Sequence, residues 1–316
     1  MSARHVRIRQ LLAVFWLLAL FAPTFAAAQI TITLKNSFIE EYRNRATIAA
    51  DFLVDKAHRR PNPQPKDGDL HVAGRADEIG LPIVAELMNA RSDMESVEVL
   101  RGREGTGQSL AVEGVWRLWC EHAGTEEQIQ GAPLTPFTTT NPDHVFEIHP
   151  VTKVGAKDTR ATFGPIEDFR YKDAEQAFAH YENVRATITP RALTTTITTF
   201  MAGFNYVEFK IEPELDKIIE RPDGRTVLAA VRAVEGHMIA RRRRMVFVDG
   251  TAPEARLLAL QPGECMHVLG VPRISLQLVH WRKSAEGRRR GALTWNLPYE
   301  MVVVGLLSDS RVCEED

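Results

Sequence analysis

Residues 109–120 read Ser-Leu-Ala-Val-Glu-Gly-Val-Trp-Arg-Leu-Trp-Cys. Apolar side chains alternate with polar or small ones and then run apolar from Val115 to Cys120, which is the habit of a β-strand and not of a helix. Four more short runs of this kind surround it, at 70–73, 81–88, 97–100 and 145–154. Gly-containing stretches separate the runs, so neighbours read as antiparallel hairpins. Five such strands with one capping helix predict a mainly β chain built on a small closed barrel of the OB-like kind.

Ahead of these strands, residues 30–35 (ITITLK) alternate as a short strand. Ser37 and Glu40 have the spacing of a capping box. Phe38, Ile39, Tyr42, Ala46, Ala49, Ala50, Leu53 and Val54 then recur at helical spacing, which predicts one N-terminal helix that stops before Pro61. Residues 59–69 (RRPNPQPKDGD) are turn-rich, and 124–142 (GTEEQIQGAPLTPFTTTNP) reads as a long polar surface loop.

Further on, 173–181 reads as a short helix, and 182–190 with 194–213 as a Thr-rich hairpin ended by Pro213. Two strands within 225–248, a helix over 253–260 and apolar runs at 265–271, 274–281 and 293–307 make a second small β-rich domain. The expected division is therefore 1–28, 29–212 and 213–316. Residues 105–117 (GTGQSLAVEGVWR) and 261–273 (QPGECMHVLGVPR) match in register at Gly107/Gly263, Val112/Val268, Gly114-Val115/Gly270-Val271 and Arg117/Arg273. A glycine bend in a strand is a barrel-corner device, so the match raises two related barrels in tandem.

Residues 1–28 have the form of a cleaved secretion signal: Arg4, Arg7 and Arg9, an apolar run from Leu11 to Phe25, then Ala26-Ala27-Ala28. The run is shorter than the roughly 20 apolar residues of a membrane span. Cleavage near Ala28 implies a periplasmic or extracellular mature chain with no transmembrane segment. Without the three arginines, 36 basic residues face 41 acidic ones, a net of −5 with His neutral. That balance argues against a dedicated nucleic-acid binder. Among three cysteines, Cys120 reads as a small core residue, and Cys265 with Cys313 forms the pair open to a disulfide.

The candidate chemistry centres on 143–150, Asp-His-Val-Phe-Glu-Ile-His-Pro. On a strand, Asp143, Glu147 and His149 share one side. In DGDLHVAGR, residues 67–75, Asp67, Asp69, His71 and Arg75 again share a side; Glu86, Glu121 and His122 lie at neighbouring strands. If one barrel gathers them, His71, Arg75, Glu86, Glu147 and His149 are the candidate catalytic residues. His71, Glu147 and His149 are the candidate metal ligands, with Arg75 on a phosphate. Glu121, His122, His144, Arg242 and Arg244 are candidates for binding. No cofactor is called for by any motif, and a divalent metal is the one such group the His/Glu set could take. The competing reading is a buried network that pins strand register.

DGDLHVAGR, GLPIVAE (residues 80–86) and the tetrapeptide Glu147–Pro150, EIHP, resemble an OB-like module of uncharacterised bacterial exported proteins, over roughly residues 67–154. The resemblance implies the barrel and carries no activity. The basic runs 241–244 and 288–290 suggest a solvated edge strand or an anion site. There is no GxGxxG, P-loop or GxSxG. The sequence therefore predicts an exported cell-envelope protein that binds a ligand or builds structure without catalysis. A metal-dependent hydrolase, phosphodiesterase or nuclease-like, is the alternative. The partner is expected to be an envelope ligand or protein.

Overall fold

The computed structural model describes residues 29–284, 286–287 and 296–313. The expected signal over 1–28, the basic run 288–290 and the acidic tail 314–316 fall outside the described residues.

Strand β1 (Gln29–Lys35) leads through helix α1 (Asn36–Tyr42) into β2 (Thr47–Ala57), β3 (Leu70–Arg75) and β4 (Ile83–Leu87). Helix α2 (Met94–Arg101), β5 (Ser109–Leu118), the short β6 (Gln128–Ile129), β7 (Phe146–Val154) and the short β8 (Lys157–Asp158) follow. β2 pairs antiparallel with β3 and with β5, β3 with β4, and β5 with β7. A parallel β4–β7 pairing closes the ring. The mainly β architecture and the closed barrel are as predicted, with β2 in place of the 97–100 run among its five strands. Its interior is filled by Phe52, Trp116, Phe146 and Ile148, all fully buried. Each such side chain contributes about 1.5–3 kcal/mol on leaving water.

The rest of the chain comprises β9 (Lys172–Asp173), helix α3 (Ala174–Asn183), β10 (Ala186–Pro190), β11 (Thr194–Phe200), β12 (Val207–Pro213) and β13 (Ile219–Arg221). After these come β14 (Gly224–Arg232), β15 (Met238–Val248), helix α4 (Ala252–Leu258), β16 (Met266–Ile274), helix α5 (Leu276–Lys283) and β17 (Tyr299–Ser308). β12 pairs antiparallel with β14 and β16, β14 with β15, and β16 with β17. A parallel β15–β17 contact closes this second ring. The two rings have one design: strand by strand, β2-β3-β4-β7-β5 corresponds to β12-β14-β15-β17-β16, with a helix (α2 or α4) between the third and fourth strands in chain order. The ring β12 opens straddles residue 213, since β12 ends at that position and its neighbours follow it.

The matched glycines fall at equivalent places, in β5 and in β16. A Cβ on Gly114 would come 2.7 Å from the Pro150 carbonyl oxygen, and one on Gly270 would come 2.8 Å from the Phe209 ring. Both strands carry a register shift at that glycine.

Five expectations are corrected. Residues 47–57 form β2, not a continuation of the N-terminal helix. Ile48, Ala50, Phe52 and Val54 turn inward while Ala49 and Asp51 turn out, so the period is two. The helix ends at Tyr42, and its N-cap is Lys35 with no side-chain cap; Glu40 instead bonds to Arg43. Residues 97–100 are helical because Asp93 accepts from the Ser96 amide and starts α2. Residues 276–283 are helical because Ser275 accepts from the Leu278 amide. The hairpin β10–β11 forms, but β11 continues onto β1, while β12 leaves for the second barrel. Cys265 and Cys313 are disulfide-bonded and Cys120 is a buried free thiol. Among the described residues no helix is long and apolar enough to cross a membrane.

Candidate functional site

The first barrel gathers most of the predicted polar residues. Glu147 and His149 project from β7, Glu86 from β4, and His71 from β3, beside Asp69 just ahead of that strand. His71 and Glu86 are cross-strand partners. His149 Nδ1 lies 3.3 Å from Glu147 Oε2 and 3.4 Å from Glu86 Oε2. His71 Nε2 lies 3.8 Å from Glu86 Oε2 and 3.9 Å from Asp67 Oδ2. Asp69 accepts from the Asn89 amide and from the hydroxyl of Tyr206, which also meets His149 Nε2 at 2.7 Å. Asp69, Glu86 and His149 each offer a ligand atom within 4.8 Å of the others.

Arg117, the cross-strand partner of Glu147, donates to that carboxylate from Nη1 and to Glu121 Oε2 at 3.4 Å. His144 donates from Nδ1 to the Pro142 carbonyl at 2.7 Å and stacks against His122. Its Nε2 faces Glu147 Oε1 at 3.4 Å. His58 stacks on His71. Arg75 stands four residues beyond His71, about 13 Å along the strand, and forms a two-point ion pair with Asp55. It does not join the cluster.

Burial governs the electrostatics. Asp69 and His149 are fully buried, and Glu86 and Glu147 are at most 5% exposed. Desolvation pushes the Asp69 carboxyl up to about 6, against the pull of His149. Burial works against charge on His149 as well, but the Glu86 charge and bonds to Asp69 and Glu147 outweigh it and raise its pKa to about 10. Glu147 also resists burial, because the Arg117 guanidinium, with His144 and His149, holds its carboxyl well below the usual range.

A parallel arrangement occupies the second barrel. Arg273 and Glu300 are cross-strand partners on β16 and β17, both 2% exposed, and bond at 2.8 Å. Arg244 and Ser275 also reach Glu300. Arg242 pairs with Glu214 at the surface. The candidate anion residues Arg242 and Arg244 are therefore each held by a carboxylate, one half-buried and one buried.

No motif or spacing singles out Tyr206, which lies 57 residues beyond its partner His149. Arg117 and Arg273 were visible only as a matched pair in the internal similarity. Asp69 was visible as one of the same-side residues of 67–75.

No protein-family model matches the chain, and no curated protein matches it. Among solved structures, a chain from one described as "Structural mimicry for functional antagonism" aligns at 9% identity with a TM-score of 0.17. The alignment covers 74% of this chain and 90% of that one. Likeness at that level carries no argument.

Proposed function

We propose that this is an exported cell-envelope protein whose tandem barrels bind an envelope ligand or hold an assembly together without catalysing a reaction. The observation that carries the reading is the enclosure of the His/carboxylate set on the first barrel. Asp69, Glu86, Glu147, His149 and Tyr206 bond to one another and leave at most 5% of any of them to solvent. A hydrolase must bring a substrate oxygen and an attacking water within hydrogen-bond reach of its acid and base. Here those positions are filled by Tyr206 and Arg117. The ligand would meet the outer barrel surface or the 124–142 segment, which is pinned by Gln130 to Lys35 and Ile79 and by the Phe137 amide to Asp55. Export rests on the basic, apolar and small-residue pattern of 1–28.

Two measurements test it. The full chain expressed in a bacterium with a periplasm should be recovered there with Gln29 as its first residue by intact mass; a cytoplasmic chain beginning at Met1 would remove the export claim. The purified protein should release no nitrophenol from bis(p-nitrophenyl) phosphate above the metal-only rate with Zn2+, Mn2+ or Mg2+. Chain-dependent turnover would replace the binding role with the phosphodiesterase alternative.

A further inference from the structure

Tyr206 has one hydroxyl proton, and it goes to Asp69 Oδ2 at 2.5 Å. The phenol oxygen therefore accepts from His149 Nε2–H, which leaves Nδ1 as the other ring nitrogen. That nitrogen faces the oxygens of Glu86 and Glu147. A lone pair set against two buried carboxylates is repulsive unless a cation, a proton or a metal, lies with them. The one guanidinium that touches the set, Arg117, is spent on Glu147 and Glu121.

Two further imidazole nitrogens point at the same carboxylates. His71 Nε2 faces Glu86 and His144 Nε2 faces Glu147; both atoms are buried and have no hydrogen-bond partner. His144 is 1% exposed. Buried polar atoms without partners are rare and call for an explanation. Ligands around one tetrahedral zinc sit about 3.3–3.6 Å apart. His149 Nδ1 stands 3.4 Å from Glu86 Oε2, within that spacing, and one ligand atom from each of Asp69, Glu86 and His149 lies within 4.8 Å of the others.

We propose that Asp69, Glu86 and His149 bind one divalent transition-metal ion, zinc foremost, on the outer face of the first barrel where Tyr206 covers it, with His71 recruited beside Glu86 as the fourth ligand. The donor set of imidazole and carboxylate suits zinc. The enclosure makes the ion structural: it joins β3, β4 and β7 to the Tyr206 segment that begins the second barrel. The inference does not depend on the non-catalytic role.

The full chain, purified without chelator and dialysed first against Zn2+ and then against plain buffer, should retain about one metal ion per chain by mass spectrometry. Chelator treatment should lower its melting temperature. Glu86→Gln should bind on the order of tenfold more weakly or worse, while Glu113→Gln, on the barrel surface, should match the parent. If Glu86→Gln does not fold, His71→Ala at the rim provides the same readout in a folded chain. Retention below about a tenth of an equivalent in natively folded protein, or affinity unchanged in the folded ligand variant, would overturn the site.

Discussion

Arg117 and Arg273 reach across the contact between the two barrels in opposite directions, each donating to the carbonyl of the residue that precedes the other. Arg117 Nε bonds to Pro272 at 2.9 Å, and Arg273 Nη1 bonds to Trp116 at 3.0 Å. Each is also the cross-strand partner of a buried glutamate, Glu147 or Glu300. Arg273 lies 3.5 Å over the Trp116 ring and donates to the carbonyls of Arg45 and Ala46 as well. A guanidinium serves here because its five donors lie in one rigid fork. The glycine ahead of each arginine, Gly114 or Gly270, lets a neighbouring backbone or ring pack against the bend.

Removing Arg273 takes one of two guanidinium partners from buried Glu300 and leaves the Trp116 carbonyl without its donor. Arg273→Ala should cost about 3–5 kcal/mol in urea unfolding, and Arg273→Ala with Glu300→Gln should recover part of it. A loss no greater than that of a surface arginine such as Arg241→Ala would refute the role.

Tyr206, on the approach to the second barrel, enters the first barrel's polar cluster. Tyr206→Phe keeps the ring and removes both hydroxyl bonds, to Asp69 and to His149. The expected loss is about 1–3 kcal/mol, read as a lower midpoint in thermal unfolding. A change within about 0.5 kcal/mol, the range of neutral surface substitutions, would count against the bonds.

Asp93 gives a pH dependence with a definite sign. It caps α2 and accepts from Ser96 and Lys157. Burial opposes its ionisation, but the Lys157 and Ser96 bonds outweigh burial and hold its carboxyl below the usual value. A carboxyl lowered in the folded state binds fewer protons there than in the unfolded chain. Its stabilisation is therefore full above the unfolded value of about 3.9 and is lost as pH falls through the lower folded value. Asp93→Ala should cost about 1 kcal/mol at neutral pH and flatten the acid limb of the stability curve. A difference between the two proteins that grows as pH falls to 3 would contradict the sign.

The disulfide and the free thiol can be counted separately. Cys265–Cys313 spans 48 residues of chain and ties the C-terminal segment to the start of β16. Its loss should cost about 2–4 kcal/mol. Burial pushes the Cys120 thiol up to about 12. Native protein should thus show no thiol reactive to Ellman's reagent, denatured protein one, and reduced denatured protein three. A reactive thiol in the native state would place Cys120 or the disulfide wrongly.

The barrel was legible because its strands repeat with period two between glycine-bearing turns. The His/Glu convergence was legible for the same reason, since Glu147 and His149 had to share a side of one strand. Residues 46–54 misled because alanines at 46, 49 and 50 satisfy the helical period as readily as the strand period. Asp93 and Ser275 are caps that sequence carries openly, yet the apolar runs after them are short enough to read as strands. Tyr206 and the Arg117–Arg273 exchange lay beyond reading. They depend on how the two barrels meet, and that contact joins residues far apart in the chain, Asp69 and Tyr206 by 137 positions and Trp116 and Arg273 by 157. The match of Gly114-Val115 and Arg117 to Gly270-Val271 and Arg273 held that information as a pattern without its meaning.

The mutual lock is tested most directly by hydrogen exchange followed strand by strand. In the parent protein, the core amides of β5 and β16 should open with one shared free energy, because neither barrel can unfold while the other holds its arginine. In Arg273→Ala the two should separate, with β16 exchanging first. Strands that already open independently in the parent, and stay so in the variant, would mean that the barrels are neighbours and not a unit.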